Sequence, residues 1–345
     1  MGAAAPPINA IAVGLAKPWP RTWLLKRSFG YLFALVGLLW VLYDVHPRQL
    51  LSAITITNWW FVAASVFFDV LTYVLQGVRW KLLLAPLGRL RSLRATQAVY
   101  AGLFANEIMP LRFGELVRAF LASRWIKSSV SAVVPSMVVE RFLDGFWLAL
   151  AIGLAAMFVP FPKNLLKAGD LLGAIVLVAT VAFVWIVLRK KHNLEKWGHD
   201  GALKTGTVAA LSSFVSRLAG GLRAIGMSRG VYGAAVISAG MLACQALAVW
   251  FVMLAYGQKL DLVAGIIVVL IVRLGTAIPN APANVGSFQF FTVLALGLFG
   301  VEKTVAAGFS MVYFAVLTAP LWIVGFIALS NTDLRLCDIR AKLSG

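Results

Sequence analysis

The sequence predicts an all-α integral membrane protein, and three observations predict it. Of its 345 residues, 61% are hydrophobic and only 13% are charged, and mean hydropathy is +0.88. A soluble domain is usually about 45–50% apolar and about 25% charged. Apolar runs at 28–43, 59–78, 131–159, 170–188, 230–256 and 306–329 each approach or exceed the ~20 residues that a spanning helix needs. Two further stretches, 95–122 and 262–300, are apolar but interrupted by Pro-x-x-x-Gly. The expected architecture is about six spanning helices plus two broken, re-entrant hairpins.

Each element follows in order. Residues 1–27 form a basic arm with Lys17, Arg21, Lys26 and Arg27. No long apolar stretch follows a basic start there, so no cleaved signal peptide is expected, and the run 28–43 acts as its own membrane signal. Residues 28–330 form one polytopic domain. Trp59, Trp60, Trp80 and Tyr256 mark helix ends, where aromatics suit the interface. The loop 79–94 carries Arg79, Lys81, Arg89, Arg91 and Arg94, and the segment 189–229 carries eight Lys and Arg. The tail 331–345 carries Arg335, Arg340 and Lys342. The alternate connections hold only Arg48, Lys163 and Lys167, Lys259, and Lys303.

Basic loops stay cytoplasmic, so both termini are expected there, in an inner, multi-pass membrane setting. This bias also accounts for the net charge of +18, from 31 Lys+Arg against 13 Asp+Glu, without nucleic acid. Within 202–226, Val208, Leu211, Val215, Leu218, Leu222 and Ile225 recur at helical spacing. That suits a cytoplasmic amphipathic helix, lying on the membrane surface or packed on the protein.

Charge also orients the two interrupted stretches. Basic, cytoplasmic residues flank 95–122, and poorly charged outer loops flank 262–300. Each stretch must therefore enter and return from its own side, either as a re-entrant hairpin or as two full spans, which charge does not distinguish. The units 59–159 and 230–329 then form an inverted-topology repeat.

The breaks are Asn106-Glu-Ile-Met-Pro110-Leu-Arg-Phe-Gly114-Glu115 and Ala277-Ile-Pro-Asn-Ala-Pro282-Ala-Asn-Val-Gly286-Ser287. Pro removes a backbone donor and Gly permits sharp turning, so Pro110, Gly114, Pro282 and Gly286 are the expected structural hinges. Broken backbone at membrane depth is tolerated where it is buried or lines a wet cavity.

Ionisable residues cluster around the breaks: Asp69, Glu107, Arg112, Glu115, Arg118, Glu140, Arg141, Asp144 and Arg273. At membrane depth such groups face a bundle interior or a cavity. They either pair with one another or hold a polar ligand. In the second reading Arg112, Arg118 and Arg273 suit a lipid phosphate, because a planar guanidinium donates bidentately, and the carboxylates suit a cationic headgroup. Helix N-termini following Gly114 and Gly286 would add positive dipole ends. Candidate substrate-binding residues are Asn106, Glu107, Arg112, Glu115, Arg118, Glu140, Arg141, Asp144, Arg273, Asn280, Asn284 and Gln289.

Enzyme signatures are scarce. His46, His192 and His199 form no ligand set, Cys244 and Cys337 offer no metal or disulfide spacing, and there is no HExxH or Walker A motif. No catalytic residue, metal or cofactor is expected.

The stretch Gly102-x-x-x-Asn106-x-x-x-Pro110-x-Arg112-x-Gly114-Glu115-x-x-Arg118 resembles the signature of the lysylphosphatidylglycerol synthase transmembrane-region, or flippase-like, family. Val138-Val139-Glu140-Arg141-Phe142-Leu143-Asp144, Arg79-Trp80-x-x-Leu83-Leu84 and Pro282-x-x-x-Gly286 fit it too. The family usually has Pro-Gly-Gly-x-Gly followed by an acidic residue. Here Ala283 and Asn284 replace the glycines, and Gln289 stands where Glu is common. The Pro-Asn-Ala-Pro variant is similar to hopanoid-biosynthesis-associated members.

The resemblance spans roughly 25–330. It implies a membrane protein that moves amphipathic glyco- or phospholipid, or a hopanoid-related lipid, between leaflets. Its partners would be membrane lipid and lipid-biosynthesis enzymes. A soluble aminoacyltransferase domain is absent from this sequence, so aminoacylation of lipid is not expected. Two other readings stay open: a non-transporting partner in lipid or envelope-glycan assembly, and a membrane-embedded lipid transferase.

Overall fold

The computed structural model describes residues 56–108, 114–157, 228–277 and 282–332, together with 32, 35–43, 167, 170–171, 173–175, 177–178, 181, 220–223 and 225–226. Every regular element among them is helical. In chain order they are α1 (Trp59–Leu84), α2 (Ser92–Ile108), α3 (Gly114–Trp125), α4 (Val130–Ala155), α5 (Gly230–Ala255), α6 (Leu262–Gly275), α7 (Ser287–Gly297) and α8 (Lys303–Ser330), with a 3-10 turn at Pro282–Asn284 before α7.

Helices α1, α5 and α8 are long and apolar enough to cross a membrane. Helix α4 matches α1 in length, at 26 residues, but carries Glu140, Arg141 and Asp144. Asn58 starts α1 by accepting a hydrogen bond from Trp60 N–H at 2.9 Å. Ser129 does the same for α4 through Ala132 N–H at 3.3 Å. Both satisfy donors that a helix start would otherwise leave open.

The eight helices form two groups with the same order of lengths: long, short, break, short, long. Each group has its own apolar core. One joins α1 to α4 through Trp80, Leu84, Val99, Val117, Leu121 and Val133. The other joins α5 to α8 through Val252, Ile267, Ile271, Leu296, Phe309 and Tyr313, and it also takes in Val41 from the first apolar run. Trp40 packs edge-on to Phe290 there.

The groups meet mainly along α1 and α5. Thr57 N–H donates to Ala255 O at 2.8 Å, so the start of α1 lies at the end of α5. A Cβ on Gly230 would sit 2.6 Å from Leu82 O, so the start of α5 lies at the end of α1. The leading helices of the two groups therefore run antiparallel.

Several boundaries differ from the sequence reading. The first long helix runs to Leu84 instead of ending at 78, so Arg79 and Lys81 belong to a helix and not to a loop. Arg79 can stay helical and wholly buried because two carboxylates meet it. Lys81 Nζ reaches Ser92 Oγ at 3.1 Å. Trp80 and Tyr256, expected at the interface, are buried. Trp80 packs under Arg118 and donates Nε1–H to Ser136 Oγ at 3.0 Å, while Tyr256 stacks edge-on to Phe309. Trp59 and Trp60 are exposed. Lys303 opens α8 and does not precede it.

Leu222 and Ile225, from the expected amphipathic segment, pack on Leu83, Val139, Leu143 and Ala234. This end of the segment sits on protein. The rest of 189–229, most of the run 170–188, the arm 1–27 and the tail beyond 332 lie outside the described residues.

Candidate functional site

Both chain breaks begin a new helix at a glycine, and both glycines have the same polar cap. At the first, the Asn106 side chain accepts from Gly114 N–H at 2.8 Å. At the second, the Gln289 side chain accepts from Gly286 N–H at 2.7 Å. Each amide oxygen satisfies a backbone donor that would otherwise be left open in an apolar surround. Gly286 has φ of 85°, which favours glycine. Ala283 and Asn284 also take positive φ, 57° and 52°. These are the two positions at which the resembled pattern carries glycine.

Between the helix groups lies a cavity of about 340 Å³ that both breaks reach. Gly114 lines it from the first, and Ala283 and Asn284 from the second. Of the sequence candidates, Asn106, Glu107, Glu115, Arg118, Arg141, Asp144, Arg273 and Asn284 all line it. Glu140 does not: it is buried behind the wall between two arginines. Gln289 is turned toward Gly286 instead. Arg112, Asn280 and the hinge residue Pro110 lie outside the described residues.

The charges of one wall form a continuous chain. Arg79 pairs with Asp144 and, at 3.2 Å, with Glu140 Oε1. It also donates to Ser238 Oγ on α5 at 2.9 Å. Glu140 Oε2 lies 2.6 Å from Arg118 Nη2. The two opposite charges attract strongly at this separation in a buried setting. The Arg118 guanidinium also stacks 3.8 Å above the Trp80 ring. Arg141 pairs with Glu115 and sits 3.9 Å from Asp144. Three guanidinium groups thus alternate with three carboxylates across α1, α3 and α4.

Helical spacing explains the chain's order. Glu140 and Asp144 are four apart on α4 and share one face. Arg79 comes from α1, whose last turns cross that face. Arg79 was legible only as part of the motif Arg79-Trp80-x-x-Leu83-Leu84. Its loop-like charge neighbours in sequence hid its burial.

The other wall is different. Arg273 on α6 lines the cavity, and among the described residues no carboxylate lies within the 4.0 Å of a salt bridge. Asp69, Tyr73, Gln76, Gln245, Tyr313 and Thr318 also line the cavity. Asp69 is one of the ionisable groups that the sequence places at membrane depth. The others carry no sequence signal beyond a polar residue in an apolar helix. Among the described residues, no group of His, Cys, Asp and Glu is placed to hold a metal ion.

Comparisons with known proteins point to one membrane-protein family. Residues 27–325 match the family model described as the lysylphosphatidylglycerol synthase TM region. A relative, the UPF0104 membrane protein of Methanothermobacter thermautotrophicus, is 22% identical over 307 residues, which cover 84% of this chain and 88% of the relative.

Proposed function

The chain belongs to the lysylphosphatidylglycerol synthase transmembrane-region family, and from that premise we propose that it moves an amphipathic lipid between membrane leaflets. One observation carries the reading: a headgroup-sized polar cavity lies between two helix groups whose outer faces are apolar. Cavities that bury small ligands span about 300–1,000 Å³, and this one falls at the lower end. It suits a headgroup while the acyl chains stay in lipid against exposed residues such as Phe67, Val236, Ile323 and Phe326.

Arg273 is the phosphate ligand we assign first, because its donors are not committed to a carboxylate. Arg118 and Arg141 border the same space but are engaged by Glu140 and Glu115. The antiparallel pairing of α1 and α5, with the same helix order on each side, supports an inverted repeat. Such a repeat can rock around a fixed central site, opening it to one leaflet and then the other. We place the protein in an inner membrane with both termini cytoplasmic, on the charge of its loops, and assign it no enzymatic step.

Proteoliposomes test this. The purified full-length chain is reconstituted with fluorescent phosphatidylethanolamine or phosphatidylglycerol probes, and the outer leaflet is quenched chemically. The expected result is exchange faster than in protein-free vesicles, lost in Arg273→Met. Exchange equal to protein-free vesicles across these probes would overturn the reading in favour of a non-transporting partner. A chemically altered lipid in the same vesicles would point to a transferase.

A further inference from the structure

Helix α1 places a carboxylate where nothing answers it. Asp69 is 4% exposed and lines the cavity, and its Oδ2 has no hydrogen-bond partner. Three other buried oxygens share this state: Ser65 Oγ, one turn earlier on the same face, Tyr100 OH on α2, which interacts with Asp69, and Gln245 Oε1 on α5, which lines the same cavity. The register of the antiparallel pair, Thr57 with Ala255 and Leu82 with Gly230, sets Asp69 level with the turn that holds Gln245.

These atoms are all oxygens able to accept. An uncompensated charge at membrane depth is costly, and one that persists marks an ion path or a proton relay. Hard monovalent and divalent cations are held by such carboxylate, hydroxyl and amide oxygens.

We propose that Asp69, with Gln245 and Tyr100, forms a site for a monovalent cation, either sodium or a proton, distinct from the arginine-rich wall. The site itself rests on the cavity. Its use, to couple cation binding to movement of the helix groups, rests on the lipid-transport reading. Occupancy neutralises the buried carboxylate and ties α1 to α5, the two helices along which the groups meet. Tyr73 on its own helix, Tyr100 on α2 and Tyr313 on α8 interact with Asp69, and Glu107, Glu115, Arg118, Arg141, Asp144 and Arg273 share its cavity. Among the described residues, no salt bridge joins Asp69 to Arg118, Arg141 or Arg273.

The test needs no lipid substrate, so its outcome is separate from that of the vesicle assay. The full-length chain in detergent is melted in sodium chloride against choline chloride at equal ionic strength, and across pH 5.5–8.5. A ligand that binds only the folded state raises the midpoint. A sodium site gives a rise of several degrees in sodium chloride over choline chloride. A proton site gives a rise of several degrees toward low pH, independent of sodium. Either response should vanish in Asp69→Asn, which keeps the shape and removes the charge.

If that variant does not fold, Gln245→Met decides: a response weakened several-fold supports the site, and an unchanged one overturns it. A flat response to both ions overturns it. So does a response to ethanolamine alone, which would assign Asp69 to a lipid headgroup.

Discussion

Gly102 and Gly114 lie backbone to backbone across the first break. A Cβ on Gly114 would sit 1.7 Å from Gly102 O, and a Cβ on Gly102 would sit 2.7 Å from Gly114 O. The hairpin of α2 and α3 closes only because neither residue has a side chain. The same approach brings Asn106 close enough to cap Gly114 N–H.

Gly114→Ala should therefore impair folding, and Gly114→Leu should do so more severely. The clash is with backbone, so the cost should exceed the about 1–3 kcal/mol usual for an overpacked core. Gly240→Ala is the control, because a Cβ there meets nothing within 4 Å. It should be neutral or stabilising by about 0.5–1 kcal/mol, the helix-interior difference between Ala and Gly. Thermal melts and size-exclusion profiles of the three variants check this. Equal behaviour of Gly114→Ala and Gly240→Ala would contradict the close crossing.

The ion chain and Arg273 should respond differently to neutralisation. Arg79→Met leaves Glu140 to Arg118 alone and Asp144 only the more distant Arg141, and removing one partner of a buried pair costs about 3–5 kcal/mol. Arg273→Met strands no paired carboxylate among the described residues, so the melting midpoint should move little while lipid exchange is lost. The two readouts together distinguish scaffold from ligand site. Loss of stability in Arg273→Met comparable to Arg79→Met would place Arg273 in the scaffold.

Ala283 holds a left-handed backbone at φ of 57°. That conformation costs an L-residue roughly 1–2 kcal/mol. Ala283→Gly relieves it and gives back about 0.4–1 kcal/mol through the looser unfolded chain. The net should be stabilisation of up to about 1.5 kcal/mol, seen as a higher midpoint. A lower midpoint would mean that the turn depends on the methyl group.

The two amide caps should tolerate an acceptor and reject its loss. Gln289→Glu keeps an oxygen on Gly286 N–H, whereas Gln289→Leu leaves that buried donor open, at about 1–3 kcal/mol. Asn106→Asp and Asn106→Leu should repeat the contrast at Gly114. Equal midpoints for Gln289→Glu and Gln289→Leu would remove the capping role.

Topology is open to a direct reporter. A fusion after Gly345 should be active only as a cytoplasmic reporter, since basic-rich segments are expected to stay on that side. Phosphatase activity of a periplasmic reporter at that point would invert the placement.

What the sequence by itself determined was composition-level and local. Hydropathy sets the helical membrane class, because lipid leaves backbone polar groups no partner outside a helix or closed barrel. Gly114 and Gly286 mark where the chain resumes a helix after each break, because glycine's backbone freedom is intrinsic. The spacing of Glu140 and Asp144 puts them on one face for the same local reason.

Tertiary structure alone decided which charges meet. Arg79 reads as a loop cation in sequence, yet it joins both of those carboxylates because α1 continues six residues further than its apolar run and crosses α4. Gln289 reads as a ligand for substrate, yet it closes its own helix start. Arg118 and Arg273 look alike in sequence, and only packing separates them: one lies beneath a carboxylate and against Trp80, the other opens on the cavity. Pairing between residues far apart along the chain depends on helix crossings, and no local spacing encodes those.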